Sequence, residues 1–311
     1  MKSSLFNAKV LLFGEYGLIQ NSKGLTLPYN FYKGALKFST HSNEESQQSN
    51  KNLSKFLDYL KTHSENPFKN TIDVQQLELD IKNGLYFDST IPQGYGIGSS
   101  GALVASIYDK YGLNKIEIDK TSIQKDNIKA LKTIFSQMES FFHGQSSGID
   151  PLICYLNIPL IINSKDDIAA ASLSSKNDGL GAVFLIDTEQ VGKTAPMIEL
   201  FFNKLKNKGF RKTMTEEFIH YNNACVESFV KGEYNSLFLN LKSLSSWVFL
   251  HFKPMIPQKM YALWEQGIKT NSYYLKLCGS GNGGFVLGFT KDFELAKNML
   301  NAYHLEVIYR F

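Results

Sequence analysis

Strand-like and helix-like segments alternate along this 311-residue chain in a way that predicts an α+β fold. Three observations carry that prediction. Residues 91–112, IPQGYGIGSSGALVASIYDKYG, form a glycine-rich turn that empties directly into a helix. Past Ile128, the residues Leu131, Phe135, Met138 and Phe142 recur at spacings of three and four, the stripe of an amphipathic helix. The tail alternates strand (285–289), helix (293–302) and strand (305–309).

Taken in order, residues 8–19, AKVLLFGEYGLI, are a short β-type run followed by Gly14, Glu15 and Tyr16. Residues 39–52, STHSNEESQQSNKN, are polar and without periodicity, so they read as a surface loop or insertion. In the central turn Gly94, Gly96 and Gly98 lack a Cβ, which lets the backbone take positive φ and come close to a bulky ligand. Ser99 and Ser100 follow, then the apolar helical run of Ala102, Leu103, Ala105 and Ile107. The helix past Ile128 delivers Glu139 near its C-terminal end, and its apolar stripe reads as core. VFLI, after Ala182, is another strand, and beyond Lys193 the character is helical: Phe218, Cys225 and Phe229, then Leu237, Leu241, Leu244, Trp247 and Leu250, mark two helices. No internal repeat is present.

The length suits one large or two medium domains. A composition that is 43% hydrophobic and 13% aromatic supplies a buried core. No apolar stretch approaches the roughly 18 residues that span a bilayer, and Glu15 and the glycines interrupt the N-terminal apolar run before any secretory cleavage pattern. Cys154, Cys225 and Cys278 are odd in number and widely spaced, which favours reduced thiols in a cytoplasm and argues against zinc. The net charge of +4 is modest. The densest basic run, Lys204, Lys206, Lys208, Arg211 and Lys212, has only Phe210 interleaved and reads as a solvated face rather than a nucleic-acid surface. A cytoplasmic protein with neither membrane nor nucleic-acid partners is expected.

The glycine turn carries the first chemical signal. Amides at a helix start, with the positive end of the helix dipole, make an anion site, and phosphate is the obvious guest. The bland reading, a tight packing corner, stands beside it. No Lys follows the last glycine, so the turn is not a Walker loop. Gly192, Lys193 and Thr194 do spell GKT, but Asp187 occupies the place of the required glycine, and the match reads as coincidence. Two further segments stand out. LKLCGSGNGGFVLGF (275–289) is a second glycine-dense turn running into a strand, and MESFFHGQSSGIDP (138–151) sets Glu139 and Asp150 around a Gly/Ser turn.

On these segments the chain resembles the GHMP kinase superfamily of small-molecule kinases, whose three motifs are found in order over nearly the whole length. Within it the pattern most resembles mevalonate kinases. Their Glu followed by HGxxSGxD, eleven positions from Glu to Asp, is matched by Glu139, His143, Gly144, Ser147, Gly148 and Asp150. The first motif is matched by Asn7, Ala8, Lys9, Gly14, Glu15 and Tyr16. The third is matched by Lys276, Leu277, Cys278, Gly279, Ser280, Gly281, Asn282, Gly283 and Gly284. The chain departs from the pattern where the family's Pro-Gly before the lysine is absent, His becomes Tyr16, Thr becomes Cys278, and a glycine becomes Asn282. Gly-Glu-Tyr is a form found in phosphomevalonate kinases.

The resemblance implies a two-domain fold, a ribosomal-protein-like N-terminal domain (1–190) and a ferredoxin-like C-terminal domain (191–311), with ATP and acceptor in the cleft between them. A homodimer is compatible with it. It implies that Gly94, Gly96, Gly98, Ser99, Ser100 and Gly101 hold the ATP phosphates and that Ser100 and Glu139 hold Mg²⁺. It further implies that Asp150, with Lys9 beside it, orients or deprotonates the acceptor hydroxyl. Glu15, Tyr16, Cys278, Gly279, Ser280 and Gly281 would lie on the acceptor side or in the third motif. His143 matches a family position outside the proton-transfer step and reads as a turn-stabilising group, and Ser146 and Ser147 as turn residues. Plain counterparts remain: an ion pair for Lys9 and Asp150, a hairpin turn for 279–284. The implied activity is ATP-dependent phosphorylation of a small hydroxylated metabolite, with mevalonate favoured. A phosphorylated acceptor brings about two extra negative charges, usually gripped by Arg, and the two arginines, Arg211 and Arg310, lie outside the motifs. The alternatives are phosphomevalonate kinase and a catalytically silent nucleotide-binding regulator.

Overall fold

The structure, a computed structural model, describes residues 4–39, 43–62, 70–116, 123–173 and 179–311. In chain order its elements are β1 (Phe6–Phe13), β2 (Gly24–Phe38), α1 (Glu44–Thr62), α2 (Val74–Lys82), β3 (Leu85–Ser89), α3 (Ser99–Tyr111), α4 (Lys125–His143) and α5 (Ile149–Leu156). There follow β4 (Leu160–Ser164), β5 (Asp167–Ala170), β6 (Ala182–Asp187), α6 (Thr194–Leu205), α7 (Lys208–Thr213), α8 (Ile219–Lys231), α9 (Tyr234–His251) and α10 (Tyr261–Thr270). β7 (Tyr274–Leu277), β8 (Phe285–Thr290), α11 (Phe293–Met299) and β9 (Leu305–Arg310) close the chain. The result is a mixed α/β protein with two antiparallel sheets. One has the order β1-β2-β4-β5 with β3 on β2, the other β7-β8-β6-β9.

Two compact units emerge. The first comprises the described residues of Met1–Lys9, Pro28–Pro92 and Gly98–Ile158; the second comprises those of Val10–Leu27, Gln93–Ile97 and Pro159–Phe311. Residue 190, where the sequence places a domain boundary, lies in the second unit.

In the first unit α3 packs on α5 and α4. Ala102 and Ala105 of α3 are small enough for close approach, and Ile107, Leu131, Phe135, Met138, Leu152 and Ile153 are fully buried around them. Each such large apolar side chain contributes about 1.5–3 kcal/mol on burial. In the second unit β6 and β8 are buried along nearly their whole length, which explains their unbroken apolar runs. Gly288 is required there, since a Cβ would come within 2.3 Å of the Phe184 ring.

The structure corrects one expectation. Residues 44–52, read as loop, are the first half of α1, while residues 40–42 lie outside the described residues. The Asn43 side-chain oxygen accepts from the Ser46 amide at 2.8 Å, and the Asn43 amide donates to the Ser46 hydroxyl at 3.2 Å, a reciprocal cap. The polar turns are then carried by the second half, whose Leu53, Phe56, Leu57 and Leu60 are buried.

Candidate active site

The first unit brings four of the expected residues together. α3 starts at Ser99 from Gly98, which has φ +83° and no side-chain cap. α5 starts at Ile149 from Gly148, which has φ +73°, and Asp150 lies in its first turn. The two helix starts meet: a Cβ on Gly101 would lie 2.8 Å from the Asp150 carbonyl carbon and 2.9 Å from the Pro151 nitrogen. Two positive helix ends therefore point into one neighbourhood. Lys9, carried there by β1, pairs with Asp150 at 2.8 Å. Its stem runs under Gly98, where a Cβ would meet Lys9 Cγ at 2.7 Å, so this glycine answers both to its φ and to the lysine. The Lys9 side chain is 5% exposed and that of Asp150 36%, so the carboxylate faces outward with its counter-charge behind it.

Glu139, near the end of α4, is buried. One of its oxygens accepts from the Ser100 hydroxyl at 3.1 Å and the other from the Ser146 hydroxyl. Burial and, secondarily, the Asp150 carboxylate push its pKa up to about 8, against the hydroxyl bonds and Lys9, which act to lower it. Two carboxylates thus share one ammonium. A hydroxyl with one carboxylate is a donor set that would suit Mg²⁺, an ion that takes most of its ligands from water and phosphate. Among the described residues no cluster of three His, Cys, Asp or Glu side chains is placed to hold a metal by itself. The Cys154 thiol, buried beneath Gly98, has its pKa raised by burial. All three cysteines are buried, and none is in a disulfide. The His143 side chain lies outside the described residues.

The second unit gathers the remaining residues. β7 and β8 form an antiparallel hairpin, and residues 278–284 are its loop. Its loop has positive φ at Gly279, Gly281, Asn282, Gly283 and Gly284. Gly96 packs on it: a Cβ there would lie 2.6 Å from the Cys278 carbonyl oxygen. Glu15 and Tyr16 are both buried, with Glu15 paired to Lys276 and the Tyr16 hydroxyl donating to Ser280 O at 2.6 Å. Burial raises the Tyr16 pKa, so its phenol stays a neutral donor. A small cavity beside Glu15, Tyr16 and Lys276 is walled by Phe218, Leu244, Val248 and Phe252.

The sequence reading set Gly192, Lys193 and Thr194 aside as a coincidental Walker match, and the structure gives Gly192 and Thr194 packing partners that the sequence did not reveal. The Gly192 amide donates to Gly94 O at 3.1 Å, and a Cβ on Gly192 would meet Gly94 O at 3.0 Å and Gly281 O at 3.2 Å. Thr194 opens α6, and its hydroxyl accepts from that of Ser280 at 3.3 Å. The signal available in sequence was a glycine two positions before a helix, a weak one until the fold supplies its neighbours.

This fold is shared with solved small-molecule kinases over almost the entire chain. The mevalonate kinase of Methanococcus jannaschii superposes with a TM-score of 0.62 at 16% identity, covering 100% of this chain and 98% of that one. The phosphomevalonate kinase of Streptococcus pneumoniae gives 0.60 at 14% identity, covering 99% of each chain. The galactokinase of Lactococcus lactis gives 0.60 at 12%, covering 99% of this chain and 94% of that one. No family model and no curated protein matches the sequence. The chain therefore has the fold of the GHMP kinases, the superfamily its motifs resemble.

Proposed function

We propose that this protein is an ATP- and Mg²⁺-dependent kinase that phosphorylates the hydroxyl of a small hydroxy acid, with mevalonate as the acceptor. The observation that carries the reading is the meeting of two helix starts around the Lys9–Asp150 pair and the Ser100–Glu139 contact. Phosphoryl transfer asks chiefly for alignment and charge neutralisation. Gly94, Gly96, Gly98, Ser99, Ser100 and Gly101 bind the ATP phosphates, where glycine backbone and helix-start amides suit an anion. Ser100 and Glu139 would hold Mg²⁺, which when bound offsets the phosphate charge. Asp150 faces outward to accept the proton of an acceptor hydroxyl or to orient it. Lys9 keeps that carboxylate in place and attracts the transferring group. Gly279, Ser280 and Gly281, preceded in sequence by Cys278, are the loop that matches the family's third motif.

Structures of similar fold include a mevalonate kinase with R-mevalonate and a phosphomevalonate kinase with phosphomevalonate and AMPPNP. They support the substrate class and leave two candidate acceptors. Tyr16 favours the phosphorylated one, whereas the absence of arginine from the motifs favours mevalonate. The retained Lys9, Ser100, Glu139 and Asp150 argue against a silent scaffold, which has no electrostatic need of all four. A coupled ADP assay with ATP, Mg²⁺ and each acceptor tests the reading.

A further inference from the structure

In the second unit, Lys276 and Glu15 form an ion pair whose side chains are each 7% exposed. Stability alone does not account for it: desolvation commonly matches the attraction of two such ions, and an apolar pair of the same shape often serves as well. What an apolar pair would not provide is directed hydrogen bonds. The Lys276 ammonium donates to Glu15 Oε2 and, at 2.9 Å, to Leu277 O; Glu15 Oε1 accepts from the Gly279 amide at 3.3 Å. The next residue, Tyr16, reaches Ser280 O through its hydroxyl. Tyr16 does so at φ +59°, a conformation unusual for an aromatic residue and maintained only where its surroundings enforce it. The turn after β1 thus holds the end of β7 at Lys276 and the hairpin loop at Gly279 and Ser280, and the Glu15 and Tyr16 side chains face these residues rather than solvent.

We propose that Lys276 and Glu15 are positioning residues: their buried pair fixes the backbone at Gly279 and Ser280, so that the glycine loop presents one conformation to the bound substrates. The claim of a fixed loop stands on this geometry, and its consequence for turnover rests on the kinase reading above.

Lys276→Met removes the ammonium at similar length and leaves Glu15 without its counter-charge. The double variant Glu15→Gln/Lys276→Met restores neutrality and keeps an amide oxygen for the Gly279 N–H. Hydrogen exchange over 278–284 reads the loop without turnover, melting reads global stability, and ADP release with mevalonate and ATP gives kcat and KM. In Lys276→Met, loop exchange is expected to quicken by about tenfold or more while β8 exchange is unchanged. Its kcat should fall by about tenfold or more, with an ATP KM changed by less than about threefold. The double variant should recover slow exchange and most of kcat. Tyr16→Phe should quicken exchange only near Ser280. Wild-type loop exchange in Lys276→Met overturns the proposal. So does a double variant that regains its melting temperature while its loop still exchanges fast. If Lys276→Met does not fold, the double variant decides by the same loop readout. Absence of turnover in the wild type defeats the kinase reading, while the exchange measurements still decide whether the pair fixes the loop.

Discussion

Asp150 and Glu139, two carboxylates in one neighbourhood, have different surroundings. Asp150 is partly open and backed by Lys9, which suits a group that meets an acceptor. On the proposed reading, Asp150→Asn keeps the shape and removes the proton acceptor, so kcat should fall by about 10²–10⁴-fold while ATP affinity, measured by titration calorimetry, stays near wild type. A variant retaining a tenth or more of the wild-type kcat, by the same roughly 10²-fold minimum, would remove Asp150 from that role. Glu139 is closed in, and its folded-state pKa of about 8 lies above the ordinary 4.5. The folded chain therefore keeps a proton that the unfolded chain releases across this window. Its contribution to stability is fully present below pH 4.5 and is lost as pH rises to about 8, on the order of a few kcal/mol in all. Metal-free melting temperatures should decline over that range, and Glu139→Gln should flatten the decline and raise the Mg²⁺ concentration needed for turnover. An unchanged slope and Mg²⁺ requirement would make Glu139 a structural carboxylate only.

At the scale of elements, the site depends on how closely the starts of α3 and α5 approach. Gly98→Val adds a branched side chain where φ is +83° and where Lys9 already lies at 2.7 Å from the position of a Cβ. The ATP KM should rise steeply, by about tenfold or more, and an unaffected KM would mean that the turn is only a packing corner. Periodicity made α3, α4, β6 and the tail legible in the sequence, because their core-facing residues repeat at helix or strand spacing. The first half of α1 was not legible: residues 44–52 have no apolar stripe, and their helix is started by the Asn43–Ser46 cap and continued into the buried Leu53 face. The role of Gly192 was hidden for a different reason. It depends on Gly94 and Gly281, which are far from it in sequence.

Over the whole molecule, the motif spacing anticipated the fold that the structural comparisons show, since a glutamate eleven positions before an aspartate is a strict local pattern. Strand order in the β7-β8-β6-β9 sheet was beyond sequence reading, because it follows from pairings between distant segments. The same limit applies to the pairing of Glu15 with Lys276 and of Tyr16 with Ser280, which joins residues far apart in sequence. Acceptor choice is a property of this scale too, and the lack of motif arginines predicts a higher kcat/KM for mevalonate than for phosphomevalonate. The most direct measurement is ADP release by the purified chain with ATP and Mg²⁺, offered mevalonate, phosphomevalonate, homoserine and galactose side by side. The account predicts ADP release that depends on mevalonate and disappears in Asp150→Asn. Folded protein that binds ATP yet releases no ADP with any of these acceptors would contradict it.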